Sequence, residues 1–188
     1  MLDMSSQSRT HTHAERGLDC YETPPVAVRA LLRVEQLPQS IWEPACGHGN
    51  IVKELRAAGH TVYASDIADY ACGLAGVDFL TTELRPPADA ILTNPPFKLI
   101  QKFVERALEL SPLTVMLCRL AFYESDRRRH ILENCGLARI HVFRKRLPMM
   151  HRAGWEGRKA NSGMAFCWMV WDRNYSGPTV IDRISWEE

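Results

Sequence analysis

Two short turns carry residues whose type and spacing suit ligand chemistry. The first is Trp42-Glu43-Pro44-Ala45-Cys46-Gly47-His48-Gly49-Asn50, where a short apolar run ends in two glycines. Glycine permits a positive φ and lets a ligand come close against the main chain. Asp66 ends the next apolar run, 19 residues after Gly47, and an acid about 20 residues past a glycine turn suits the hydroxyls of a ribose. Val52 stands where a dinucleotide fingerprint has its third glycine, so the turn taken alone also fits an ordinary structural turn. The acids Glu43, Asp66, Asp69 and Asp78 favour a cation bearing a ribose and an amino group over a pyrophosphate. The second turn is Asn94-Pro95-Pro96-Phe97, a rigid, half-polar corner between an apolar run and an amphipathic one. Prolines there stop a strand and start a helix, which is the plain structural reading of the corner.

The flanking patterns supply the elements that must hold these turns. Thr23 is a candidate N-cap for a helix over "TPPVAVRALLRVEQL", with prolines in its first turn. "SIWEPA", "TVYASD" and "ADAILTN" predict strands, and "NIVKELRAAGH" predicts a helix closed by Gly59. "FKLIQKFVERALEL" places Phe97, Ile100, Phe103, Val104, Ala107 and Leu108 along one helical side. "LTVMLCRL" is a strand buried on both faces. "SDRRRHILENCG" predicts a helix ending at Gly136, and "ARIHVF" and "MAFCWMVW" predict two late strands joined by a long polar loop. Alternating strands and helices predict an α/β, doubly wound, mostly parallel sheet, with the last two strands as an antiparallel hairpin at one edge. Ligands of such folds bind beyond the C-terminal strand ends, where both turns fall.

The 188 residues suit one domain, here 18–188, behind a flexible N-terminal tail over 1–17. With 46% hydrophobic and 24% charged residues the chain is ordinary globular material. No apolar run is long enough to span a bilayer, and the polar N-terminus has no export signal. Six scattered cysteines without a C-x-x-C pair predict buried thiols in a reducing, cytoplasmic compartment and no metal site. From Arg119 to Lys159, 11 lysines and arginines meet 4 acids, an excess of seven. The whole-chain net charge is +1, so the remainder lies near −6. That asymmetry points to an anionic partner on one part of the surface, or to a solvated helix face around "ESDRRRH".

Taken in order, "YETPP", "EPACGHG", Asp66, "VDFL" and "NPPF" resemble the class I S-adenosylmethionine-dependent methyltransferases, closest to the adenine-N6 DNA methyltransferases. The resemblance runs from about Tyr21 to Trp171 and implies a seven-stranded Rossmann-like methyltransferase sheet. It implies S-adenosylmethionine as cofactor. Tyr21, Thr23 and Pro24 would close over its methionine part, and Glu43, Pro44, Ala45, Cys46, Gly47 and Gly49 would form the binding turn. Asp66 and Ile67 would hold the ribose, Asp78 and Phe79 the adenine, and Asn94 would touch both cofactor and substrate. The catalytic set is then Asn94, Pro95, Pro96 and Phe97. An adenine or carboxamide amine is a poor nucleophile because its lone pair is delocalised. The Asn94 side-chain oxygen and the Pro95 carbonyl would accept its hydrogens and turn the lone pair towards the methyl group, with the prolines limiting reorganisation. Phe97 would stack on the planar substrate.

Large DNA methyltransferases of this kind carry a target-recognition domain, for which this chain leaves no residues. Recognition of nucleic acid would then fall on Arg144, Lys145, Arg146, Arg152, Arg158 and Lys159 at phosphates, with Trp155 to stack or wedge. The bland alternative is a charged loop without a ligand. DNA is the first expectation for substrate. An RNA base, a protein glutamine, a non-catalytic nucleic-acid-binding module and a dehydrogenase are the alternatives.

Overall fold

The computed structural model describes residues 22–148 and 163–187. The tail assigned to 1–17 lies outside the described residues. A helix α1 (Pro25–Leu32) precedes β1 (Ser40–Glu43), α2 (Asn50–Ala57), β2 (Thr61–Ala64), β3 (Ala90–Thr93), α3 (Ile100–Leu110) and β4 (Leu113–Arg119). Two short 3-10 turns, Leu120–Tyr123 and Asp126–Arg128, lead into α4 (Arg129–Glu133), β5 (Leu137–Phe143), β6 (Phe166–Asp172) and β7 (Val180–Ile184). The seven strands form one sheet in the order β2-β1-β3-β4-β6-β5-β7.

The first four strands are parallel, and β6 runs antiparallel to both β4 and β5. The hairpin of β5 and β6 is therefore present, but it enters the sheet rather than ending it. β6 pairs along its whole length with β4, and six of its seven residues are buried. The outer edge is β7, parallel to β5 and exposed except at Ile184. Its exposed sequence, Val-Ile-Asp-Arg-Ile, carries no alternation by which a strand is recognised.

Pleating sends neighbouring strand residues to opposite faces, which divides the core in two. Ile41, Leu92, Leu117 and Trp168 pack with Leu31 of α1 and Leu55 of α2. Trp42, Ile91, Met116 and Trp171 pack on the other face with Phe103 of α3 and Ile131 of α4. The buried indoles keep a hydrogen-bond partner, as a polar handle in a core must. Trp168 Nε1 donates to the Ala27 carbonyl at 2.9 Å, and Trp171 Nε1 to the Ile131 carbonyl at 2.8 Å. Each face thus has one helix pinned to β6.

Local boundaries differ from the sequence patterns where side chains are recruited elsewhere. Thr23 is not the cap of α1: the N-cap is Pro24, without a side-chain bond, and Thr23 is buried beside a cavity. The helix expected from Phe97 begins at Ile100, because Leu99 N–H first closes a turn on the Pro96 carbonyl. The basic run around Arg127 to Arg129 is 3-10 before it becomes one short helix.

Glu35, after α1, is buried against β5. It accepts from Arg139 Nη2 at 2.8 Å and lies 2.9 Å from His141 Nε2. Burial pushes its carboxyl up, but the bonds to His141 and Arg139 outweigh this and hold it below its ordinary 4.5. A lowered folded-state value contributes stability that is full above pH 4.5 and is lost as pH falls through the folded value. Glu35→Gln should therefore cost about 2–3 kcal/mol at pH 7, below the usual cost of breaking a fully buried pair because Arg139 is partly exposed. In thermal melts the gap from the parent protein should shrink as pH falls below 4.5.

Candidate active site

A cavity of about 370 Å³ opens at the C-terminal ends of β1, β2 and β3. Three connections converge there. The turn after β1 contributes Pro44, Ala45, Cys46 and Gly47, the segment after β2 contributes Asp66 and Ile67, and the corner after β3 contributes Asn94, Pro95, Pro96 and Phe97. Thr23, Asp78 and Phe79 complete this list of expected residues.

The glycine turn is built by main-chain geometry. Gly47 and Gly49 have φ of 49° and 81°, and Gly49 is the left-handed N-cap of α2. A Cβ on Gly49 would come within 2.3 Å of Cys72 Sγ, so the position is closed to larger residues by space as well as by conformation. Asp66 bridges the two loops. Its Oδ2 accepts from Gly47 N–H at 2.9 Å and its Oδ1 from Ala68 N–H at 3.0 Å. Each carboxylate oxygen keeps a further lone pair for a ligand.

Glu43 stands beneath this turn and does not line the cavity. It is fully buried, and its Oε1 accepts from the Thr93 hydroxyl at 2.7 Å, one residue before Asn94. Burial pushes its carboxyl well above its ordinary value; the Thr93 bond pulls it down and nearby Asp66 pushes it up again. Its Oε2 is buried without a hydrogen-bond partner among the described residues. Pro24 and Gly49 likewise stand behind the wall rather than in it. Tyr21 lies outside the described residues.

Asp78 binds its own turn, accepting from Leu80 N–H at 3.0 Å and from the Thr81 hydroxyl at 3.1 Å. Phe79 is a buried floor residue, edge-on to Trp42 at 5.3 Å and tilted on Phe103 at 5.0 Å. Cys46 is no nucleophile: burial, with Cys72, Glu43 and Asp66 close by, pushes its thiol far above the ordinary value. Among the described residues no cluster of histidine, cysteine or acid has the form of a metal site.

Several further residues at the wall lie outside the expected binding and catalytic sets. Asn50 donates through Nδ2 to the Thr23 carbonyl at 3.1 Å, joining the segment before α1 to the glycine turn. His48 and Tyr70 meet at 4.7 Å between ring centres, and His48 Nδ1 lies 3.4 Å from Glu22. Their signal was proximity in sequence to Gly49 and Asp66. Arg119 and Phe166 had no such signal. They face each other across β4 and β6, and both reach Phe97: the Arg119 guanidinium lies 4.3 Å from its ring centre, and Phe166 packs at 5.7 Å. Phe97, expected to stack on a substrate, is thus already stacked by a cation.

Arg144, Lys145 and Arg146 follow β5, are exposed, and line a second cavity of about 250 Å³ with Phe143, Ala165 and Phe166. Lys145 pairs with Glu187 at 2.6 Å. Arg152, Trp155, Arg158 and Lys159 lie outside the described residues. No helix among the described residues is long and apolar enough to cross a membrane.

No family model matches the sequence. Solved structures do. A protein assigned as an RNA methyltransferase from Pyrococcus horikoshii superposes with a TM-score of 0.61 at 13% identity, over 82% of this chain and 87% of that one. The modification subunit of a protein assigned as a type I restriction enzyme from Vibrio vulnificus YJ016 gives 0.59 at 17% identity, over 85% of this chain. This chain spans 45% of that subunit. Magnesium protoporphyrin IX methyltransferase from Synechocystis PCC 6803, solved with bound S-adenosylmethionine, gives 0.50 at 14% identity, over 78% and 76% of the two chains. The chain has the methyltransferase fold. Within that fold the cavity described above lies beyond the strand ends, where α/β sheets take their ligands.

Gly49→Ala should lower stability by about 2–3 kcal/mol through left-handed strain and the contact with Cys72. Thermal denaturation should show this as a fall of roughly 5–10 °C.

Proposed function

We propose that this protein is an S-adenosylmethionine-dependent N-methyltransferase acting on an exocyclic amine of nucleic acid, adenine N6 in DNA before others. The observation that carries the proposal is that Asn94, Pro95, Pro96 and Phe97 line the same cavity as the glycine turn and Asp66. The cavity fits the cofactor in size and sign. Its volume lies in the range of small-molecule sites, and its charged lining is Glu22, Asp66 and Asp78 against Lys98, an acidic surround suited to a sulfonium and an ammonium.

Asp66 and Ile67 would hold the ribose, Asp78 and Phe79 the adenine, and Thr23 the methionine part. When bound, the cofactor supplies an electrophilic methyl group. The chain's own residues prepare the amine. Asn94 Oδ1 and the Pro95 carbonyl accept its two hydrogens, which raises the nucleophilicity of the nitrogen lone pair and aims it. Pro95 is buried and Thr93 before it is tied to Glu43, so these acceptors do not have to reorganise. Exclusion of water by Phe79, Phe97 and Phe103 strengthens both hydrogen bonds.

The likeness to a restriction-enzyme modification subunit supports nucleic acid as substrate. RNA amines form the second reading, favoured by the nearly complete overlap with the protein assigned as an RNA methyltransferase.

Incubation with labelled cofactor and DNA, RNA or protein, followed by digestion to nucleosides and amino acids, should place the label in N6-methyladenosine species. Label in protein alone would remove the nucleic-acid reading. Asn94→Ala should still bind cofactor while transfer falls by roughly 10²–10³-fold or more. Asp66→Ala should weaken cofactor binding by about 10–100-fold in calorimetry, the loss of a charged hydrogen-bond acceptor.

A further inference from the structure

We infer that Arg119 positions the substrate by binding a phosphate of a polynucleotide next to the nucleotide held at Phe97. The inference deepens the functional reading above and rests on it. Arg119 is the last residue of β4, paired across the sheet with Phe166, and Leu120 N–H fixes the strand end on the Ala165 carbonyl at 2.8 Å. Its guanidinium lies over Phe97.

A guanidinium carries five donors, and those of Arg119 have no hydrogen-bond or carboxylate partner among the described residues. Its Nε is buried as well. Other partly buried arginines behave differently. Arg139 holds Glu35, and Arg106, whose Nε is likewise buried without a partner, holds the Thr82 carbonyl and Glu109 through its terminal nitrogens. Arg128 also stacks on a phenylalanine, yet it donates to the Phe122 carbonyl at 2.9 Å. A stacked ring offsets only part of the cost of taking a cation out of water. The remaining donors at Arg119 call for an anion.

Its location says which anion. Phe97 belongs to the wall of the first cavity and Phe166 to the wall of the second, and the two rings touch. Their contact is the partition between the candidate active site and the basic cleft of Arg144 and Arg146. Arg119 stacks on one of these rings and sits opposite the other. A planar base at Phe97 brings a phosphodiester within reach of that partition, and the next phosphates then fall towards the cleft. A protein glutamine brings no anion to this place. The chemistry selects a polynucleotide, single-stranded or with one base turned out of a duplex.

The test is fluorescence anisotropy of the full chain with a labelled adenine-containing oligonucleotide, single-stranded and duplex, in the presence of S-adenosylhomocysteine and over a range of sodium chloride. Arg119→Gln should weaken binding about tenfold at low salt and reduce the slope of log K against log salt by about one. Affinity for S-adenosylhomocysteine and the melting temperature should stay as in the parent. Should the Gln variant fold poorly, Arg119→Met keeps a long stem against Phe97 and removes the charge, with the same expected loss of slope. Arg119→Lys should keep the slope but lower kcat, because an ammonium is not a planar donor fork. A parent protein that binds the oligonucleotide, with an uncharged variant of equal affinity and slope, overturns this inference alone. A parent that binds neither form overturns it together with the nucleic-acid reading.

Discussion

The site depends on a buried bond between Glu43 and Thr93. β1 and β3 are four residues long and pair over only two positions, so main-chain bonds alone hold their ends loosely. The 2.7 Å contact of a carboxyl and a hydroxyl at the ends of these strands ties the glycine turn to the corner that begins with Asn94. Burial favours the uncharged carboxyl, and a neutral group is what such an interior can hold without a counter-ion. The second tie, from Gly47 to Asp66, then brings the segment after β2 to the same point. Two side chains thus join three loops into one wall.

Charge divides this surface into two regions. Glu22 before α1 and the acids Asp66 and Asp78 after β2 line the first cavity, whereas arginines and a lysine after β5 line the second. The boundary is aromatic, made of Phe97 and Phe166. A cationic ligand and an anionic one are therefore sorted by field before any contact is made. The rings that separate them are indifferent to sign, and the Arg119 cation lies over one of them.

β6 makes that boundary possible. By entering between β4 and β5 it brings residues near the C-terminus of the chain to the rim where β3 and β4 end. Its two tryptophans pin α1 to one face and α4 to the other. The strand that completes the wall beside the corner is thus also the one that anchors a helix on each side of the sheet.

Much of this was legible in local pattern. Short apolar runs and helical spacing identify six of the seven strands and the main helices, because burial of a strand on both faces, or of a helix on one, imposes those patterns. The turn glycines, Asp66 and the Asn-Pro-Pro-Phe corner are legible because backbone conformation and spacing restrict which residues stand there. The boundaries of α1 and α3 were not, since Thr23 is drawn into the site by Asn50, distant in the chain, and Pro96 first closes a turn with Leu99. β7 was not, because an exposed strand satisfied by one neighbour needs no apolar pattern. The sequence by itself determined the α/β class and the residue types that stand at the strand ends, both being matters of local period and residue type. Only the tertiary structure decided that β6 lies beside β4, that Glu43 stands behind the wall, and that Arg119 rests on Phe97, since each follows from strand order, which pairs residues far apart in the chain.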